Sequence, residues 1–156
     1  METIVLPDGS LGSGSSVNIQ ANRTITNTGK IVAPSVTLSA GAQIRNTGPS
    51  ALIGATDAAG NLTLLAPTIE NSDDIATTDS PPSTTILGLG AVTLAGALDA
   101  NNNVTKANTI INRSALIEST GNMLISANTL TNTRRALVMG TSFDQAISPS
   151  ELNALG

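Results

Sequence analysis

An all-β fold, a right-handed parallel β-helix (solenoid) of about five to six coils with loop or hairpin insertions and a short C-terminal helix, is what this sequence predicts. Three observations predict it. A motif of Thr or Gln, then Ile or Leu, any residue and Asn recurs five times, and a second motif of alternating apolar positions ending in a small residue also recurs five times. The two motifs alternate strictly along the chain. Phe143 is the sole aromatic residue, while Asn, Thr, Ser and Gly are abundant and only 12% of residues are charged. Such a composition favours short strands and many turns around a narrow aliphatic core.

Residues 1–16 read as a lead-in. Met1 to Pro7 carries Glu2, no basic residue and an apolar run too short for a secretory signal, and Leu6 to Ser16 is rich in Gly and Ser. A cytosolic protein or an internal piece of a longer one fits these features. The repeat domain, 17–140, opens at Val17. Its apolar motif reads Val17-Ile19-Ala21, Val36-Leu38-Ala40, Leu62-Leu64-Ala66, Val92-Leu94-Gly96 and Met123-Ile125-Ala127. Its asparagine motif reads Thr24-Ile25-Thr26-Asn27, Gln43-Ile44-Arg45-Asn46, Thr68-Ile69-Glu70-Asn71, Thr109-Ile110-Ile111-Asn112 and Thr129-Leu130-Thr131-Asn132. A third, looser strand follows each Asn, at Ile31-Val32, Ala51-Leu52-Ile53, Ile86-Leu87, Ala115-Leu116-Ile117 and Ala136-Leu137-Val138.

Three short strands in an uninterrupted unit of 19 to 20 residues match one turn of a parallel β-helix. One turn cannot bury its apolar face alone, so turns stack at about 4.8 Å and place like residues in rows. The inward rows are expected to be Ile25, Ile44, Ile69, Ile110 and Leu130 on one face, and Val17, Val36, Leu62, Val92 and Met123 on another. Asn27, Asn46, Asn71, Asn112 and Asn132 are expected to be structural. Asparagine tolerates left-handed backbone at turns, and stacked amides bond from coil to coil as a ladder. A row of ligand-binding amides is the functional alternative.

The lengthened intervals carry turn chemistry. Asp57 to Asn61, Asp73 to Ser83 with Pro81-Pro82, and Asp99 to Lys106 through Asn101, Asn102 and Asn103 read as loops or small hairpins leaving the body. If the segment binds a partner, Asp73, Asp74, Pro81, Pro82, Asp99 and Asn102 mark the loops to examine; tolerated surface decoration is the plainer reading. Residues 141–156 read as a cap or linker. There Ser148-Pro149-Ser150-Glu151 has the pattern of a helix N-cap, a proline at the first helical position and a capping-box glutamate.

Much chemistry is absent at the level of residue type. Without Cys or His the chain lacks thiolate ligands, cysteine nucleophiles and the commonest general base. A net charge of −4, with seven Lys and Arg and no Trp or Tyr, leaves no basic stripe or stacking platform for nucleic acid. No run approaches the roughly 18 apolar residues of a spanning helix, so no membrane insertion is expected. Asp73, Asp74, Asp79, Glu118 and Asp144, with Arg134 and Arg135, are the best carboxylates and guanidines for glycan chemistry, and they do not assemble into a site. No catalytic, metal or cofactor-binding residue is therefore assigned. A threonine ladder like that of an ice-binding surface is interrupted by Arg45 and Glu70.

The strings Ile44-Arg45-Asn46-Thr47-Gly48 through Leu62-Thr63-Leu64-Leu65-Ala66, and Ile111-Asn112-Arg113-Ser114-Ala115-Leu116-Ile117 through Leu130-Thr131-Asn132-Thr133-Arg134-Arg135, resemble the filamentous haemagglutinin repeat family. The resemblance covers most of residues 17 to 140. It implies a stalk segment of a secreted cell-surface adhesin or contact-dependent growth inhibition exoprotein of a Gram-negative bacterium, acting in cell–cell or host contact. It further implies association with the outer membrane, an outer-membrane two-partner secretion transporter as partner of the parent protein, and a target-cell receptor of unknown identity. No signal, secretion domain or toxin module is identified, so the chain looks like a fragment of such a protein. A glycan-binding or glycan-degrading parallel β-helix is the alternative.

Overall fold

The computed structural model describes residues 3–6, 10–12, 15–73 and 83–133. The first coil is made of β1 (Thr3–Leu6), β2 (Ser10–Gly12) and β3 (Val17–Ala21). Two of its strands thus fall within the stretch read from composition as a lead-in. In the second coil β4 (Thr24–Asn27) ends at Thr28-Gly29, β5 (Lys30–Ala33) at Pro34-Ser35 and β6 (Val36–Ala40) at Gly41-Ala42. Each pair of small or turn-forming residues stops an alternating strand after two or three inward positions and turns the chain to the next face.

The third coil holds β7 (Gln43–Thr47), β8 (Leu52–Ala55) and β9 (Asn61–Leu65), and the fourth holds β10 (Thr68–Ser72), β11 (Thr85–Gly88) and β12 (Ala91–Ala95). A hairpin, β13 (Ala97–Leu98) and β14 (Val104–Thr105), then leaves the body. The fifth coil holds β15 (Ala107–Arg113), β16 (Leu116–Ser119) and β17 (Met123–Ile125), and β18 (Ala127–Thr133) begins a sixth. Among the described residues these strands form three parallel sheets: sheet A in the order β1-β4-β7-β10-β15-β18, sheet B in the order β2-β5-β8-β11-β16, and sheet C in the order β3-β6-β9-β12-β17.

The register is set by like residues. Ile25, Ile44, Ile69, Ile110 and Leu130 are successive partners along sheet A. Val17, Val36, Leu62, Val92 and Met123 are partners along sheet C. Ile31, Ile53, Ile86 and Ile117 make the third row, along sheet B. Between them lies one continuous core of Ile, Leu, Val and Ala, with Ile44, Ile53, Leu64 and Ile69 fully buried. A shift of one residue in any strand would turn its apolar set outward, which is why the rows hold their alignment. The rows are more open at the last coils, where Met123 is 41% and Leu130 is 54% exposed.

The ten additional residues between Val92 and Asn112 are accounted for by the β13–β14 hairpin, antiparallel with Ala97 opposite Thr105 and Leu98 opposite Val104. Its two ends stay adjacent, since Gly96 N donates to Thr105 O at 2.8 Å. The segment Asp57 to Asn61 is a tight turn, with Gly60 N donating to Asp57 O at 2.9 Å. Asp74, Asp79, Pro81, Pro82, Arg134, Arg135, Asp144, the strand expected at 136–138 and the helix expected from Pro149 all lie outside the described residues.

Candidate functional site

The asparagine row is the most ordered polar feature of the interior. Asn27, Asn46, Asn71, Asn112 and Asn132 are successive register partners at the end of the sheet A strands. Each Nδ2 donates to the Oδ1 of the next coil, at 2.8 Å from Asn27 and at 2.9 Å from Asn46, Asn71 and Asn112. The second amide hydrogen of each of these four points to a main-chain carbonyl of sheet B or of the corner leading into it. Asn27 reaches Leu52 O at 3.0 Å, Asn46 reaches Thr85 O at 3.0 Å, Asn71 reaches Leu116 O at 2.9 Å and Asn112 reaches Ala115 O at 2.8 Å. At the head of the row Asn27 Oδ1 accepts from Gly29 N at 3.2 Å, because its register partner in the first coil is Leu6 and has no amide.

One expectation about these residues is corrected. The left-handed backbone expected at the asparagines is found instead at Gly48 and Ser50, in the corner after Asn46, and at Ser114, in the corner after Asn112. The asparagines remain in the strand, since only an extended backbone keeps successive amides at the coil repeat of about 4.8 Å.

Outside sheet A lies an ionic cluster whose partners are distant in sequence. Glu70 is held between Arg45 of the preceding coil at 3.3 Å and Arg113 of the following coil at 3.4 Å. Gln43 Nε2 and Ser72 Oγ also donate to its carboxylate, at 3.3 and 2.8 Å. The Glu70 side chain is 11% exposed and both arginines are 36% exposed, so the cluster is screened on one side and ties three coils together. In the sequence Arg45 and Glu70 stand out only as interruptions of a threonine row. The available signal was their shared slot, before Asn in consecutive motif copies, which stacking places side by side.

The insertion residues are placed as follows. Asp73, buried, follows β10, and its N–H donates to Arg113 O at 3.2 Å. Asp99 and Asn102 form the exposed tip of the hairpin. Asp99 Oδ1 accepts from Asn101 N at 2.8 Å and from Asn103 N at 3.0 Å, and Asn102 takes φ +62°. That is the turn role expected of Asp and Asn in a left-handed corner. Beside the hairpin base a groove of about 650 Å³ runs along the corners between sheets C and A, lined by Gln20, Asn22, Ser39, Gly41, Pro67, Gly96 and others. Among the described residues no three His, Cys, Asp or Glu side chains come together as a metal cluster, and no helix is long and apolar enough to cross a membrane. Asp73 and Glu118, the two described carboxylates weighed for glycan chemistry, follow strands of sheet A and sit in sheet B, respectively.

Comparison with known proteins agrees with this architecture. The haemagglutinin repeat family matches residues 3–66 and 68–148. The chain is similar to the toxin CdiA of Yersinia pestis, with 53% identity over 96 residues, which is 62% of this chain and 3% of that protein. It is also similar to the tRNA nuclease CdiA-2 of Burkholderia pseudomallei (strain 1026b), with 49% identity over 109 residues, 70% of this chain and 4% of that protein. The chain thus spans only a few per cent of the length of these relatives. No solved structure matches it. A family match across nearly the whole repeat, falling on coils whose equivalent residues are stacked in register, places this chain in the haemagglutinin repeat family.

Proposed function

We propose that this segment is a length of elongated stalk in a large exoprotein of a Gram-negative bacterium, of the adhesin or contact-dependent growth inhibition type. The observation that carries this reading is the unbroken in-register stack of parallel coils, each adding about 4.8 Å along one axis. Its interior is filled by aliphatic rows and by an amide ladder whose bonds run within a coil and to the coils next to it. Such a body is extended by repetition, and its role is to span distance in cell–cell or host contact. The parent protein would be exported through an outer-membrane two-partner secretion transporter and displayed at the cell surface. Toxin and nuclease activities named for the relatives are not assigned to this segment, because the similarity lies in the repeat.

A second reading, receptor contact, is favoured by one feature: the hairpin carries Asp99 and Asn102 at its exposed tip; in the sequence, the lengthened interval after Asn71, with Asp73, Asp74, Pro81 and Pro82, is a further candidate. Attachment of the purified segment to target bacteria and host cells, beside a glycan array, tests both. The companion variant lacks residues 97–105, with Gly96 joined to Lys106. A stalk gives no saturable attachment with either protein. Saturable attachment lost in the variant would make this a receptor-contacting segment instead.

A further inference from the structure

The outer face of sheet B is built unlike the other two. With Ile31, Ile53, Ile86 and Ile117 inward, the alternate positions face out in two rows: Lys30, Leu52, Thr85 and Leu116, and beside it Val32, Gly54, Leu87 and Glu118. Val32, Leu52 and Leu87 are half-buried and Leu116 is 40% exposed, so a strip of branched apolar side chains lies on the surface. It is bounded by a cation in the second coil and an anion in the fifth. Among the described residues neither Lys30 nor Glu118 forms an ion pair. Gly54, between Val32 and Leu87, is buried, and the atoms nearest a Cβ built there belong to the Leu52 side chain, the first at 3.6 Å.

We propose that this face pairs with the same face of a second copy of the chain, with the coil axes antiparallel. A two-fold axis lying between the faces and parallel to the strands sets the second coil of one copy opposite the fifth coil of the other, and the third opposite the fourth. Leu87 then stands opposite Gly54 of the partner copy, beside the Leu52 side chain that lies over that glycine. Lys30 lies level with Glu118 of the other copy, two residues away along the strand, within reach of two long side chains across sheets packed about 10 Å apart. The symmetry makes each contact twice. Pairing with parallel axes would instead set Lys30 near Lys30 and Glu118 near Glu118, so charge selects the antiparallel arrangement. The stalk reading is not required for this contact, but antiparallel pairing is the geometry of two stalks that project toward one another.

Four coils present a face well below the roughly 800 Å² per partner of a standard interface, so association of the isolated chain is expected only at high concentration, about 0.1 to 1 mM. Sedimentation equilibrium should show a dimer there. Lys30→Glu or Glu118→Lys alone should weaken it about fivefold, and the two together should restore it. Gly54→Gln should abolish it while the circular dichroism spectrum is unchanged, since the atoms nearest the new Cβ are at 3.6 Å or more and belong to the flexible Leu52 side chain. Carbodiimide coupling in a mixture of light and ¹⁵N-labelled chains should give a Lys30–Glu118 linkage joining the two isotopes. A monomer throughout this range would overturn the proposal. So would association indifferent to the charge swap, as stacking through the coil ends would be, or linkage within one isotope only.

Discussion

Asn71 shows how much one side chain does in a stacked fold. Its amide accepts from Asn46 and donates to Asn112 and to Leu116 O. Replacing it by Ala removes those bonds and strands the Asn46 donor and the Asn112 acceptor in the interior. Asn71→Ala should therefore cost about 2–4 kcal/mol in guanidinium unfolding, whereas Asn132→Ala, at the exposed end of the row, should cost about 1 kcal/mol or less. Equal losses at both positions would show that the ladder acts bond by bond, without a contribution from burial. Glu70 is a different case, because its arginine partners are partly solvated. Glu70→Gln keeps the shape and loses the charge, so its destabilisation should be about 1 kcal/mol and should shrink in about 1 M salt.

The corners between elements constrain the coil more tightly than the strands do. Between sheets B and C, a Cβ placed on Gly90 would lie 2.0 Å from Gly60 O, the main chain of the coil below. Only glycine lets these turns approach at the strand spacing. Gly90→Ala must push two coils apart or bend the chain, and a loss of about 1–3 kcal/mol is expected by thermal or chemical unfolding. The hairpin is the opposite kind of element: its base is pinned by the Gly96 to Thr105 bond, and its tip is ordered by Asp99, so the body beneath it is continuous without it.

As a whole the molecule is close to one-dimensional. Each coil touches the coil before and the coil after, so stability should vary with the number of coils and the contacts between them. Deleting residues 24–42 removes the second coil and joins Arg23 to Gln43, which occupies the register position of Thr24 one level on. The shortened chain should keep its β-type circular dichroism and unfold at lower denaturant. Its maximum dimension by small-angle scattering should fall by about 5 Å. Collapse to an unfolded chain would mean that the coils are not interchangeable units.

The repeating rows were legible in the sequence because stacking places equal positions of every unit side by side: Ile25 and Ile69 announce the same environment through the same neighbours, Thr before and Asn two residues after. The third strand at Ile53 and Ile86 was visible for the same reason, and the turn at Asp99 through its Asx chemistry. The first coil was harder, because Thr3-Ile4-Val5-Leu6 keeps the strand pattern but ends in Leu where the later copies end in Asn. What the tertiary structure alone decided was the set of contacts between positions with no shared pattern: Glu70 between two arginines, Gly90 against the Gly60 carbonyl, and Leu52 against Gly54 on the outer side of sheet B. Periodicity specifies which residues lie in a row, since that needs only the coil length; which unlike side chains meet across rows depends on how insertions of different length close back onto the same stack.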